Sequence, residues 1–314
     1  MRRASAAAES REGAGGVSYA HGTKQERLPV WLRRPLATPG RANAVEGLLG
    51  ELRLNTVCQS AKCPNRGECY SSGTATFLIM GDACTRGCRF CAVDTRKPTP
   101  LDADEPARIA EAAHRMELSH VVVTAVTRDD LEDGGAAHFV AVIEALRVAV
   151  PGATIEVLTS DFGGRTVSVD AVVDARPDVF GHNLETVPRL YPGVRPGAEY
   201  RRSLGVLARA RERCSESGTA ELPTKSGLML GLGETPAEVV EVIRDLREVG
   251  CELLTLGQYL RPSPAHLPVA GFVEPAVFEE LAREARVLGF AAVASTPFVR
   301  SSYHAKELAA AAHF

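Results

Sequence analysis

Six of the eight cysteines fall between Cys58 and Cys91, in two groups of three. The later group reads Cys84-Thr-Arg-Gly-Cys88-Arg-Phe-Cys91, a C-x3-C-x2-C spacing. Three thiolates on one short loop can hold three irons of a [4Fe–4S] cube and leave the fourth iron without a cysteine. An open iron of that kind can chelate the amino and carboxylate groups of S-adenosylmethionine. The reduced cube can then pass one electron to the sulfonium and break a carbon–sulfur bond, giving a 5′-deoxyadenosyl radical. The cofactor carries the hard step, and the protein binds and orients. The competing reading is a zinc knuckle or buried structural thiols, but zinc sites usually show paired cysteines and four ligands.

The earlier group reads Cys58-Gln-Ser-Ala-Lys-Cys63-Pro-Asn-Arg-Gly-Glu-Cys69, a C-x4-C-x5-C spacing with no nearby fourth thiol. It suits a second iron–sulfur cluster, or a zinc ion completed by a distant histidine. Its closeness in sequence to the later group places it over the same mouth of the domain. Cys214 and Cys251 match no metal spacing and are expected to be small core residues. None of the eight histidines forms a metal-binding or catalytic constellation such as H-E-x-x-H. Near the C-terminus, Arg300-Ser301-Ser302-Tyr303 reads by itself as a polar turn.

These loops need a frame, and the pattern after residue 75 supplies one. Short apolar runs at 76–80, 120–125, 154–158, 178–182, 226–230, 252–256 and 291–294 read as strands. Helical patterns lie between them at 106–116, 136–150, 167–175, 199–216, 235–249 and 275–288. Thr235, Pro236 and Glu238 give the fifth helix a capping box and Gly250 stops it. Alternating β and α units predict a parallel sheet, and no GxGxxG follows the first strand. The fold class is therefore α/β, a partial (β/α)6-type TIM barrel with N- and C-terminal extensions. In such barrels chemistry gathers at the C-terminal ends of strands, which is where Cys84 falls.

The chain divides into an expected disordered tail at 1–24, an N-terminal extension at 25–75, the barrel at 76–295 and a C-terminal extension at 296–314. A transit peptide is the rival reading of the tail, opposed by Glu9 and Glu12. The 314 residues carry 36 basic and 39 acidic side chains, a net charge of −3. That balance gives no footprint for nucleic acid or an anionic membrane. No apolar run approaches the roughly 18–20 residues that span a bilayer. With no apolar core of a secretory signal at the N-terminus, a cytoplasmic location is expected.

The segment from Asn55 to Cys69 resembles the auxiliary-cluster motif of the lipoyl synthases. Gly73-Thr-Ala-Thr-Phe77, followed by the stretch from Gly81 to Cys91, is similar to their radical S-adenosylmethionine motif, and Arg300-Ser301-Ser302-Tyr303 to their RSSY signature. His182-Asn183-Leu184-Glu185-Thr186, Thr224-Lys225-Ser226-Gly227 and Tyr259-Leu260-Arg261-Pro262-Ser263 are also family-like, and the similarity runs over about residues 28–305.

The resemblance implies insertion of two sulfurs, at C6 and C8, into an octanoyl chain on a lysine of a lipoyl carrier domain. H protein and the 2-oxoacid dehydrogenase subunits are such carriers. It implies two [4Fe–4S] clusters, S-adenosylmethionine and an electron donor such as ferredoxin or flavodoxin. Cys84, Cys88 and Cys91 would hold the radical-generating cluster. Cys58, Cys63 and Cys69 would hold the cluster that gives up its sulfur, with Ser302, or failing that Ser301, on its fourth iron. The C-terminal segment must then cross the barrel mouth and pack on the N-terminal extension.

Thr124 and Arg128 are candidates for the methionyl part of the cofactor, with a capped acidic turn as the alternative. Asn183 and Glu185 are candidates for the ribose or substrate amide, and Arg261 for a carboxylate. Bracing of loops is the plainer role for each. Lys62, Arg66 and Lys225 are candidates for docking an acidic carrier. Thr159-Ser160-Asp161-Phe162 departs from the family's Ile-Pro-Asp-Phe. Gly181 departs from a common Asn, and Thr296 from a common Gly. All seven proposed metal ligands are retained. The alternatives are another two-cluster sulfur-inserting enzyme of the methylthiotransferase kind, or a non-catalytic zinc module.

Overall fold

The structure, a computed structural model, describes residues 28–33, 41–72, 74–218 and 222–311; the tail expected at 1–24 lies outside them. Eight strands form one sheet: β1 (Asn55–Thr56), β2 (Thr76–Ile79), β3 (His120–Ala125), β4 (Thr154–Leu158), β5 (Val179–Gly181), β6 (Thr224–Leu230), β7 (Leu253–Gln258) and β8 (Ala292–Ser295). They lie side by side in chain order. β1 runs antiparallel to β2, and every later pair is parallel. Among the described residues β1 and β8 pair with no further strand, so the barrel is open.

The crossover helices are α2 (Glu105–Arg115), α3 (Ala136–Ala149), α4 (Thr166–Asp174), α5 (Tyr200–Glu216), α6 (Pro236–Glu248) and α7 (Pro275–Val287), preceded by α1 (Arg41–Glu51) and followed by α8 (Ala305–Ala310). Each expected strand and helix is present with ends moved by a few residues at most. Thr235 caps α6 in the expected capping box with Glu238. Gly250 stops it in the left-handed region at φ +83°, where a glycine carries no Cβ penalty.

Side chains alternate across each strand. Phe77, Ile79, Val121, Val123, Ile155 and Val157 face outward and pack under the helices. The inner face is more polar, with Thr124, Glu156, Lys225 and Thr255 all buried. Lys225 Nζ donates to Glu156 Oε1 at 2.7 Å, although their strands are separated by β5. The two side chains share the inner face and reach across the intervening strand. Lys225 is 1 % exposed, so its expected role in docking a carrier is corrected: it braces the barrel interior.

The segment before β2 joins the same core. Leu49, Leu52, Leu54 and Tyr70 pack with Phe77 and the α2 alanines, and Tyr70 Oη meets Thr56 Oγ1 at 2.7 Å. Cys214 and Cys251 are buried core residues, as expected. Among the described residues no helix is long and apolar enough to cross a membrane.

Candidate active site

β2 ends on a turn in which Met80 and Gly81 take φ of 68° and 91°. The chain then enters the cysteine loop, which is closed at its base by two-residue parallel strands at Ala83–Cys84 and Asp94–Thr95. Cys84 Sγ accepts hydrogen bonds from the backbone N–H of Arg86 (3.4 Å) and Thr127 (3.3 Å). Leu267 N donates to the Arg89 carbonyl at 3.1 Å, and His266 Nε2 meets the Cys91 carbonyl at 3.0 Å. Arg86 reaches both Asp129 and Asp161 at 2.7 Å, and Asp161 also takes Arg202 at 2.8 Å. The loop is thus pinned by segments that follow β3, β4 and β7, at the C-terminal end of the sheet where the barrel reading placed it.

Burial pushes the Cys91 thiol up to about 12 and raises Cys88, with the Arg195 guanidinium pulling Cys88 the other way. Such thiols stay protonated until a metal takes the proton's place. Glu185 is half-buried beside them, its pKa raised by desolvation and lowered in part by Arg195. Asn183 Nδ2 donates to Glu185 Oε1 at 3.1 Å. Arg195 Nη1 donates to the carbonyls of Asn183 and Leu184 and to Tyr191 Oη.

Thr124 lies within β3 and donates to the Leu158 carbonyl at 3.0 Å. Arg128 is buried in a bidentate pair with Asp130, at 2.8 and 2.9 Å, while its Nη1 has no partner among the described residues. Arg261 donates to the carbonyls of His266 and Pro264 and so braces its own loop. The structure therefore gathers Asn183 and Glu185 beside the cysteine loop, and commits Arg261 to bracing. Sequence reasoning missed Arg195, Asp161 and His266, which lie far along the chain from the loop they support. Arg86, between two cysteines, was the one such residue visible in the motif.

The earlier cysteines lie elsewhere. β1 pairs back along β2, Asn55 opposite Leu78 and Thr56 opposite Phe77, so the next residues run toward the start of β2. Cys58 sits in the short helix Val57–Ser60 capped by Thr56, and Cys69 in the helix Arg66–Ser71. With Cys63 they line a cavity of about 360 Å³. Thr76, His120 and Val122, at the starts of β2 and β3, line it too, and so does Ser302. The expectation that this group covers the mouth above Cys84 is corrected: antiparallel pairing of β1 carries it to the other end of β2.

The C-terminal segment does meet the N-terminal extension, as expected, but beside that lower cavity. Asn65 Nδ2 donates to the Phe298 carbonyl at 2.7 Å and Tyr303 Oη to Glu68 Oε1 at 2.8 Å. Thr76 Oγ1 donates to Ser302 Oγ at 2.7 Å, whereas Ser301 Oγ donates to Asn183 Oδ1 at 3.1 Å. Of the two serines it is Ser302 that faces the cysteine cavity. α8 then packs Leu308 and Ala309 against Val179, Leu253 and Ala292, the first residues of β5, β7 and β8.

Burial raises Cys58 and pushes Cys69 up to about 12, Cys58 and Cys63 adding to the rise at Cys69. Among the described residues no three His, Cys, Asp or Glu side chains converge tightly enough to hold a single metal ion. Three thiols and a hydroxyl on one cavity are a donor set that a four-iron cube could take at its corners.

An open, mainly parallel barrel with a C-x3-C-x2-C loop on the ends of its strands defines a radical S-adenosylmethionine enzyme, and residues 78–246 match the Radical SAM superfamily. The fold is shared with methylornithine synthase (PylB), at a TM-score of 0.52 and 12% identity over 78% of this chain and 73% of that one. It is shared as well with the FeFe-hydrogenase maturase HydG from Carboxydothermus hydrogenoformans, at a TM-score of 0.55 and 15% identity over 74% and 55%. Lipoyl synthase of Methylococcus capsulatus is 55% identical over 90% of this chain and 87% of its own length. That of Caldanaerobacter subterraneus is 53% identical over 89% and 96%. The chain belongs to the lipoyl synthase family, and it is an enzyme that inserts sulfur. Membership of the superfamily implies one [4Fe–4S] cluster and S-adenosylmethionine.

Proposed function

We propose that this enzyme inserts sulfur at C6 and C8 of an octanoyl chain carried on a lysine of a lipoyl carrier domain, with H protein and 2-oxoacid dehydrogenase subunits as the carriers. Cys84, Cys88 and Cys91 hold the cluster that binds S-adenosylmethionine. Cys58, Cys63, Cys69 and Ser302 hold a second [4Fe–4S] cluster. The observation that carries this reading is the meeting of Ser302 with the earlier cysteines on one cavity, its hydroxyl held by Thr76 from 226 residues away. When bound, the first cluster and its cofactor supply a substrate radical, and the second supplies the sulfur.

The protein's own part is to hold and order. Thr76 donates to Ser302 Oγ, which favours that oxygen in its charged, metal-binding form. A hard alkoxide would be a poorer partner for an iron–sulfur cluster than a thiolate, so Ser302 would be the ligand that lets go most readily. Asn183 and Glu185 would hydrogen-bond the cofactor's ribose. Arg128, with a buried donor to spare, takes its carboxylate, and Thr124 shapes the wall between them. Arg261 serves by fixing the loop that carries His266 to the Cys91 carbonyl. A ferredoxin or flavodoxin supplies the electron, in the cytoplasm.

Anaerobic protein is incubated with an octanoyl-lysyl peptide, S-adenosylmethionine and reductant. The expected result is two 5′-deoxyadenosines per product and the mass gain of two sulfurs; absence of both overturns the assignment. The same protein is brown with about eight irons, from two four-iron cubes. A colourless zinc protein would leave only the binding-module reading. Ser302→Cys is expected to keep its iron and insert sulfur poorly, and full activity in it would refute the releasing-ligand role.

A further inference from the structure

We propose that Ser301 is a positioning residue: its hydroxyl anchors the C-terminal segment to Asn183 and thereby holds Ser302 at the cavity of Cys58, Cys63 and Cys69. The inference rests on the reading of Ser302 as a metal ligand. Among the described residues the barrel is open between β1 and β8, and the segment after β8 runs from the end of β7 to the N-terminal extension and the start of β2. Gln258 N donates to the Pro297 carbonyl at 3.1 Å and Asn65 Nδ2 to the Phe298 carbonyl at 2.7 Å. The Val299 carbonyl lies directly on Gly257, where a Cβ would come within 2.0 Å of it. At the turn closed by Tyr303 N and the Arg300 carbonyl, the two serines diverge. Ser302 goes to Thr76 and Ser301 to Asn183.

Asn183 is a rigid anchor. Its Oδ1 accepts from Ser301 and its Nδ2 donates to Glu185. Its backbone carbonyl takes Arg195 at 2.9 Å, and its side chain packs against Gly227, where a Cβ would stand 3.0 Å from Oδ1. Neighbouring residues thus tie one short turn to both walls of the lumen. Ser302 is the weakest of the proposed ligands, so its occupancy depends most on how well the turn is held. One hydrogen bond is worth roughly a three- to tenfold change in such an occupancy.

The test compares wild type, Ser301→Ala, Ser301→Thr and Ser302→Ala as oxidised holoenzyme, with excess S-adenosylmethionine covering the open iron of the first cluster. Intact cubes in this state give no EPR signal, whereas a cube that has lost its oxygen-held iron gives the signal of a three-iron cluster. Ser301→Ala is expected to show roughly three- to tenfold more of that signal than wild type at equal sulfide content, with Ser302→Ala higher still and Ser301→Thr restored. Silence in Ser301→Ala alone, with Ser302→Ala positive, overturns the anchor and leaves the ligand reading standing. Silence in both overturns the ligand reading and the anchor with it.

Discussion

His182 follows β5 and is fully buried, its Nδ1 on the Thr159 carbonyl at 2.9 Å and its Nε2 without a partner. Burial, and then the Arg195 charge, hold its pKa down at about 4 against an ordinary 6.5. In the unfolded chain it takes its proton near 6.5, so between those values the unfolded state binds more protons. Stability from this residue is therefore full above pH 6.5 and is lost as pH falls toward 4. The difference amounts to roughly 3 kcal/mol. In His182→Gln the unfolding midpoint is expected to depend less steeply on pH in that window; an unchanged slope would remove His182 as the cause. The buried thiols obey the same physics with the opposite sign, since burial keeps their protons on until metal arrives.

At the scale of elements, the site depends on where backbone can pass backbone. Gly257 in β7 leaves room for the Val299 carbonyl, and Gly227 in the adjacent β6, opposite Thr255, leaves room for Asn183. A side chain at 257 must push the C-terminal segment off β7, and Ser302 with it. Gly257→Val is expected to bind S-adenosylmethionine through the Cys84 loop but to keep only about three irons in the second group, about seven of about eight in all. Iron analysis and cofactor binding on the same sample check this, and full iron would show that the segment's path is not what holds the second group. Antiparallel β1 matters equally, because it turns the chain back along β2 and carries Cys58 away from Cys84.

Across the whole molecule, the open barrel has two chemical ends joined by a lumen. The Cys84 loop stands at the C-terminal ends of the strands, and the Cys58 cavity beside the starts of β2 and β3. Between them Lys225 and Glu156 form a buried pair, with His120 Nε2 3.5 Å from the second Glu156 oxygen. A buried charge left without its partner costs about 3–5 kcal/mol, more than a pair replaced whole by apolar groups. Lys225→Met is expected to lower stability by that amount, and Lys225→Met with Glu156→Leu by less. Denaturant titration checks it, and a double variant no more stable than the single one would show that packing rather than charge holds this part of the barrel.

The sequence by itself determined the frame and the thiols. Apolar runs at strand length, amphipathic runs between them and the Thr235 capping box are local patterns, and each produced its element. The two cysteine triads are likewise written as spacings. The ends that meet were foreseen through the resemblance, but the place where they meet was not, because it depends on the direction in which a two-residue strand pairs. The choice of Ser302 over Ser301 at the cavity turns on which way two adjacent hydroxyls point from one turn. Lys225 read as a surface charge and is instead a buried one, since the composition of a strand does not say what crosses the barrel to meet it. Arg195, Asp161 and His266 reach the cysteine loop only through the fold. Spacing along the chain encodes which groups can share a loop; the curvature of the sheet and the gap at its edges decide which distant groups share a cavity.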